Sequence, residues 1–305
     1  EDAEKYVDYF LESGPFDNYK DKFNFYYIGN YQPACELYNN IAILCYSSEL
    51  VQKSASCPND QIVVLSSDYG TSIRSSNYLN VMSINIKHPM SVLLHEFGHS
   101  FVNLAEEYVP AKIPRNSGGN CVEDCVDFGG KNDGCYTECS RTDYSRSVES
   151  GVMRTLSSEE YGRFNEFVIT NRIDELTGGS AGSAKITGNA INENRNCPSQ
   201  SYYLIEGSYS EKLDVVKKEV VQGYFGDSGY GGFLFDLILA DDSRVNIGKF
   251  SPEFIFSDGV GESLPGEVLG SPSEIDGETF ISDKNFYLKV PIIEDAKRVE
   301  KGRVR

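Results

Sequence analysis

The chain has 305 residues, a formal net charge of −18, 40% hydrophobic residues and 12% aromatic residues. This length and apolar content suit one large or two smaller folded domains and exclude a disordered chain. The acidic balance makes nucleic acid and anionic membrane surfaces poor partners, because both carry negative charge.

The first third of the chain contains both helical and strand patterns. Apolar residues at steps of three and four predict a helix over residues 1–14, and alternating aromatic residues predict a strand over 22–29. A short apolar run predicts a buried strand at 61–66, and alternation predicts an edge strand at 80–86. A stretch that is apolar nearly all round predicts a buried helix from about 89 to 105.

The middle of the chain is polar and rich in cysteine. Residues 110–150 show little periodicity and predict a loop held by cross-links. A second helix is predicted over 158–176, where Ser157 and Glu160 form a capping-box pattern and Gly178 ends the periodic stretch.

The last third has a different character. Small and polar residues at 179–189 predict a linker, which separates a first domain over 1–178 from a second domain over 190–305. The second domain has short strand-like segments with turn residues between them, which predict an all-β sandwich used as an accessory module. These segments are 202–207, 213–224, 233–240, 244–248, 253–256 and 285–290.

The chain has eight cysteines, an even number that favours disulfides and an oxidising compartment. We therefore expect a secreted or cell-surface protein, in a mature or trimmed form because no signal peptide is visible, and we predict no membrane span. Structural zinc on Cys121, Cys125, Cys135 and Cys139 is an alternative, but four-residue steps suit zinc less well than disulfides. Calcium is a weaker alternative at the acidic residues of the same loop, Glu123, Asp124, Asp127 and Asp133.

The motif that carries chemistry is H-E-x-x-H, formed by His95, Glu96 and His99. Residues four apart share one face of a helix, so both imidazoles can bind one metal ion while Glu96 reaches a water on that metal. Catalytic zinc takes three protein ligands and keeps a fourth position for water, whose pKa it lowers. Two histidines and a carboxylate on an apolar helix would be costly to bury without such a metal.

The third ligand is not a histidine that follows the motif, because the chain has only three histidines and His88 lies upstream, where it marks the start of the helix. Glu106 and Glu107 are the candidates, since the helix should end before them and the chain can turn back towards the metal. Exposed charges at a helix end are the alternative, although negative charge is unfavourable there. We favour Glu106 over Glu107.

Met153, one of three methionines in the chain, lies some fifty residues after the motif and just before the second predicted helix. This position matches the methionine turn of metzincins, in which a methionine forms an apolar floor below the metal histidines. Tyr161 and Tyr108 are weaker candidates for stabilising an oxyanion.

Four ordered segments resemble the IgA-peptidase family of bacterial and archaeal metallopeptidases. HEFGHSFVNLAEEY at 95–108 is similar to that family's HEFGHSFxGLADEY signature, and GPFDNYKDKFNFYYI at 14–28, DQIVVLSSDYG at 60–70 and VMR at 152–154 resemble further family segments. The resemblance covers about residues 1–176. Two positions depart from the pattern: Glu106 stands where the family has Asp, and Asn103 stands where glycine is usual.

The resemblance implies an α/β metzincin-like domain with one zinc ion, held by His95, His99 and Glu106, and endopeptidase chemistry on a protein or peptide substrate. Glu96 would act as general base and then pass its proton to the leaving amine. The family name does not license immunoglobulin A as the substrate. The strand at 80–86 is a candidate for pairing with an extended substrate. Alternative functions are a non-catalytic surface or adhesion protein that keeps a metal site, and a metal-dependent hydrolase of non-peptide substrates.

Overall fold

The structure is a computed structural model and describes residues 2–114, 117–178, 200–209, 213–224, 233–250, 253–256, 280–281 and 285–303. Within these ranges the chain is mixed α/β, with helices followed by a strand-rich region. The helices are α1 (Asp2–Glu12), α2 (Ser48–Ser54), α3 (Ser91–Val102) and α4 (Arg163–Thr177). The strands are β1 (Glu36–Tyr38), β2 (Ala42–Leu44), β3 (Ile62–Ser66), β4 (Ser76–Tyr78), β5 (Val81–Asn85), β6 (Cys121–Val122), β7 (Tyr136–Cys139), β8 (Arg141–Arg146), β9 (Gln200–Tyr209), β10 (Leu213–Gly223), β11 (Phe233–Leu239), β12 (Arg244–Phe250), β13 (Glu253–Phe256), β14 (Phe280–Ile281), β15 (Phe286–Pro291) and β16 (Ala296–Arg303).

A five-stranded sheet with the order β14-β13-β4-β5-β3 lies beside α3. β3 runs parallel to β5, whereas β4 is antiparallel to both β5 and β13. The strands predicted at 61–66 and 80–86 are confirmed as β3 and β5. The prediction that the second is an edge strand is wrong, because β5 lies between β4 and β3 and all its residues are buried. Its backbone is already paired on both sides, so β5 cannot receive an added substrate strand.

α3 is the centre of the main apolar core. All of its residues are buried, and its apolar side chains pack against α1, β5, α4 and the turn around Met153. The helix is shorter than predicted because Asn103 takes a left-handed conformation, with φ 55° and ψ 40°, and ends it after Val102. Asparagine is among the few non-glycine residues that tolerate this conformation, so the chain can reverse direction here without glycine.

The predicted strand at 22–29 is wrong. Residues 20–22 form a 3₁₀ turn, and the residues after it are not in a strand. Phe23 and Phe25 instead make edge-to-face contacts with Phe10 of α1, at ring-centroid distances of 5.1 and 6.0 Å. The alternating aromatic pattern therefore reflects packing against a helix rather than pairing with a strand.

The second long helix also begins later than predicted. Gly162 precedes α4 without a side-chain cap, so the capping box of Ser157 and Glu160 does not form. The Glu160 carbonyl instead accepts a hydrogen bond from the Val152 N–H at 2.7 Å. The predicted end is confirmed, because Gly178 takes the left-handed conformation with φ 80°.

Among the described residues, three disulfides join Cys35 to Cys45, Cys121 to Cys139, and Cys125 to Cys135. The disulfide prediction is confirmed for these six cysteines. Structural zinc is therefore excluded at the two pairs between 121 and 139, whereas Cys197 lies outside the described residues.

The segment predicted as a loop contains a three-stranded sheet with the order β6-β8-β7. None of the described helices is long and apolar enough to cross a bilayer.

The region after residue 200 is built of strands in its described parts, and each of the six strand segments predicted there is confirmed. Two antiparallel sheets, β10-β9-β15 and β12-β11-β16, contribute side chains to one apolar cluster. β13 pairs with β4, so this region also completes the sheet beside α3. The predicted linker at 179–189 lies outside the described residues.

We predict that Gly98→Ala destabilises the protein by about 1–3 kcal/mol through overpacking. A Cβ atom at Gly98 would lie 2.7 Å from the Met153 sulfur and 3.2 Å from both Leu104 and Tyr161. Alanine is otherwise the better helix former, so a loss of stability can only come from packing. Urea unfolding measures the change.

Gly70→Ala is the matched control, because the nearest atom to a Cβ there is the Ser72 hydroxyl oxygen at 3.9 Å. We expect this variant to unfold at the same urea concentration as the wild type. A Gly98→Ala protein as stable as the wild type would contradict tight packing between α3 and the Met153 turn.

We predict that Lys289→Met stabilises the protein by about 3 kcal/mol below pH 8. Lys289 on β15 is 9% exposed. Burial lowers the pKa of its ammonium group from 10.5 to about 8, although the negative charge of Asp60 opposes this. The folded protein therefore binds this proton less tightly than the unfolded chain does. Burying the charged Lys289 costs the folded state its full penalty below pH 8, and this penalty disappears as the pH rises to 10.5.

Thermal unfolding of both proteins across this pH range measures the difference. The advantage of methionine should shrink as the pH rises and be absent above pH 10.5. Lys20→Met, at an exposed lysine, is the control and should give no pH-dependent gain. A gain that is constant with pH would show that added apolar contact, not lysine charge, is responsible.

Candidate metal centre

His95 and His99 lie one turn apart on α3, and their side chains meet on one face of the helix. Their Nε2 atoms are 3.0 Å apart, and the residues are 2% and 3% exposed. The 3.6-residue period of the helix produces this meeting, as the motif predicts.

The Nδ1 atoms of both histidines are held by backbone carbonyl oxygens. The distance is 2.8 Å from His95 to the Val152 oxygen and 2.7 Å from His99 to the Leu104 oxygen. A carbonyl oxygen can only accept, so each Nδ1 must carry the hydrogen. In the neutral rings each Nε2 therefore carries a lone pair, and the two lone pairs face the same space. This is the tautomer in which an imidazole binds a metal ion through Nε2.

Glu106 completes the group. Its Oε2 lies 3.1 Å from the His95 Nε2, and its Oε1 lies 3.1 Å from the His99 Nε2. Among the described residues, these three side chains are the only group of histidine, cysteine or acidic residues whose ligand atoms all lie within 4.8 Å of one another. His88 lies elsewhere, with its Nε2 2.9 Å from the Thr71 carbonyl oxygen.

The electrostatics of the centre favour a cation. Burial lowers the pKa of His95, but the Glu106 carboxylate more than offsets this and raises it to about 9. Burial raises the pKa of Glu106, but His95 and then His99 outweigh this and lower it to about 2. Among the protein groups alone, Glu106 is thus ionised and attracts a proton to His95. A divalent cation can replace that proton and satisfy all three side chains at once.

The turn after α3 decides which glutamate reaches the histidines. The N–H groups of Asn103 and Leu104 donate to the carbonyls of His99 and Gly98, at 3.0 and 3.1 Å. The reversed chain brings Glu106 under the histidines. The departure from glycine at Asn103 is compatible with this turn, because the asparagine adopts the left-handed conformation itself.

Glu107 points away from the histidines into a separate buried site. Its Oε1 accepts hydrogen bonds from the side-chain amides of Asn165 and Asn120, at 2.8 and 3.1 Å. Burial raises the pKa of Glu107 to about 7, although these two hydrogen bonds and the nearby Arg146 and Arg154 oppose the shift.

Met153 lies directly behind the histidine helix. It is fully buried, and its sulfur occupies the space that a Cβ atom on Gly98 would need. The adjacent Val152 supplies the carbonyl that orients His95. The turn at 152–154 therefore contacts α3 twice, through the Val152 carbonyl at His95 and through the Met153 side chain at Gly98.

Glu96 lies on α3 beside His95 and is fully buried, and its charge contributes to the raised pKa of that histidine. Tyr161 is also fully buried, but its hydroxyl donates to the Leu94 carbonyl. The suggestion that Tyr161 stabilises an oxyanion is therefore wrong, because its only hydrogen is used inside the core. Tyr108 is half-buried and remains the other candidate.

The acidic residues at 123–133 do not form a calcium cluster with each other in the described structure. Asp124 caps a short 3₁₀ turn through the Val126 N–H, and Asp133 accepts from the Arg163 N–H. Asn120 and Ser140, which contact the backbone around Glu106, were not predicted from the sequence. Neither belongs to a recognisable motif, and only their positions beside Cys121 and Cys139 mark them.

Comparisons of the chain with protein-family models, with curated proteins and with solved structures found no match.

Proposed function

We propose that the protein is a secreted, zinc-dependent endopeptidase with a metzincin-like catalytic domain. The observation that carries the proposal is the convergence of two imidazole Nε2 atoms and one carboxylate in a buried centre, with Glu96 beside them on the same helix. Two nitrogens and one oxygen from protein are a ligand set that catalytic zinc uses in peptidases.

His95, His99 and Glu106 would hold the metal. When bound, zinc supplies Lewis acidity, which polarises a peptide carbonyl and makes a water more acidic. Glu96 takes the proton from the attacking water and delivers it to the leaving amine nitrogen. The Val152 and Leu104 carbonyls keep both histidines in the tautomer that leaves Nε2 free to bind.

Three features support the metzincin-like class. The histidine helix is short and ends in a left-handed turn, the third proposed ligand follows that turn, and a buried methionine packs against the same helix at Gly98. The disulfides of the described residues support secretion, because such bonds persist in oxidising compartments. The strand-rich region after residue 200 would be a β-sandwich accessory module.

We predict that the wild type binds one zinc ion and cleaves peptides, and that Glu96→Gln binds zinc but does not cleave. The amide cannot accept the proton from water, and the loss of a general base typically lowers the rate by about 10²–10⁴-fold. Zinc content by atomic absorption and cleavage of a peptide library are the two measurements.

The two measurements distinguish the competing functions. Zinc in both proteins with cleavage in neither would contradict the peptidase proposal and favour a surface or adhesion protein with a metal site. Cleavage that persists in Glu96→Gln would contradict the role of that carboxylate. Failure of the wild type to bind zinc would remove both the peptidase and the metal-site interpretations.

We predict that Glu106→Gln weakens zinc binding by more than about 100-fold, beyond the range typical of residues behind the ligands. Glu107→Gln is the matched control, because it makes the same change one residue away in a side chain bonded to Asn120 and Asn165. It should bind zinc as the wild type does. Competition with a chromophoric chelator gives both affinities, and the opposite ranking would make Glu107 the ligand.

A further inference from the structure

The third metal ligand lies outside regular secondary structure. α3 ends at Val102, and the described chain from Asn103 to Glu106 is neither helix nor strand. Without a ladder of backbone hydrogen bonds, something else must fix the position of the Glu106 carboxylate to within a fraction of an ångström.

The side chain of Asn120 forms hydrogen bonds with both the N–H and the carbonyl of Ala105, the residue that precedes Glu106. Its Oδ1 accepts from the Ala105 N–H at 2.8 Å, and its Nδ2 donates to the Ala105 carbonyl at 2.8 Å. The same Nδ2 also donates to the Glu107 Oε1 at 3.1 Å. Asn120 is fully buried, and both hydrogens of its amide are used in these bonds.

Ser140 holds the next peptide. Its hydroxyl donates to the Glu106 carbonyl at 2.6 Å. Asn120 and Ser140 are the sequence neighbours of Cys121 and Cys139, which form a disulfide, and the Cys121 sulfur lies 3.5 Å from the Glu106 carbonyl oxygen. The Cys121–Cys139 disulfide therefore holds close together Asn120 and Ser140, the two residues whose side chains bond the backbone of Ala105 and Glu106.

We propose that Asn120 is a positioning residue for the Glu106 ligand, with Ser140 and the disulfide in support. The inference rests on the proposed metal site, but not on peptidase activity. The hydrogen bonds of the Asn120 side chain go to Ala105 and Glu107 rather than to the side chains of the proposed ligands. Asn120 acts by fixing the peptide before Glu106, so that the carboxylate already lies beside both histidines before a metal binds. Binding then does not have to order this segment, which would cost conformational entropy.

The test is the zinc affinity of the full-length chain, measured by competition with a chromophoric chelator. Asn120→Ala should weaken zinc binding by about 10-fold or more, the range found for residues that orient ligands. Ser140→Ala removes one hydrogen bond from the same segment and should weaken zinc binding to a smaller extent. It also provides a second test if Asn120→Ala does not fold.

Asn165→Ala is the matched control. Asn165 is equally buried and also donates to the Glu107 Oε1, at 2.8 Å, but its other amide bond is to the Tyr161 carbonyl rather than to Ala105. It should lower thermal stability while leaving zinc affinity unchanged. Equal losses of zinc affinity in Asn120→Ala and Asn165→Ala would overturn the proposal, because general loosening of the core would then explain both.

A double-mutant cycle provides a readout that a purely structural role would not change. In a Glu106→Gln background, Asn120→Ala should have little further effect on zinc affinity, because there is no carboxylate left to position. Full additivity of the two losses would overturn the proposal. A wild type that binds zinc, with Asn120→Ala and Ser140→Ala binding equally well, would also overturn it. A wild type that binds no zinc would instead defeat the proposed metal site.

Discussion

The structure of this protein depends on one electrostatic constraint, the meeting of two imidazole nitrogens and a carboxylate inside the core. The three side chains lie within 4.8 Å of one another and are almost inaccessible to water. Such a group is unstable in an apolar interior unless positive charge compensates it. The two Nδ1–H groups donate to the Val152 and Leu104 carbonyls and so keep both Nε2 atoms available for that charge.

Packing around α3 follows from the same constraint. The helix must approach the turn at 152–154 closely enough for the Val152 carbonyl to reach His95. Gly98 allows this approach, since any side chain there would overlap the Met153 sulfur. Glycine weakens a helix interior, so its presence beside the histidines indicates that close contact outweighs helix propensity at this position.

Features governed by local periodicity could be predicted from the sequence. The buried helix with its two histidines, the strand at β3 and the end of α4 at Gly178 all follow from patterns within a few residues. The failures occur where distant contacts override the local pattern. Phe23 and Phe25 alternate as in a strand but pack on Phe10, and Glu160 bonds to Val152 rather than forming a cap. The internal position of β5 could not be predicted, because β4, which covers one side of it, follows no strong sequence pattern.

The candidate site shows the same division. His95 and His99 are fixed by helical geometry, so their spacing alone predicts that they meet. Glu106 is positioned by a left-handed turn and by the side chains of Asn120 and Ser140. These two residues lie 14 and 34 positions further along the chain. No local pattern carries that information, and for this reason Glu107 stayed open as an alternative.

The disulfide-bonded loop therefore connects the chemistry of the centre to the environment of the protein. A cross-link between residues 18 apart in sequence limits the freedom of the unfolded loop and stabilises its folded form. The folded form presents Asn120 and Ser140 to the segment that carries Glu106. In a reducing compartment the Cys121–Cys139 bond would be lost, and this support would depend on weaker contacts alone. The proposed ligand geometry and the proposed oxidising location are therefore linked through this disulfide.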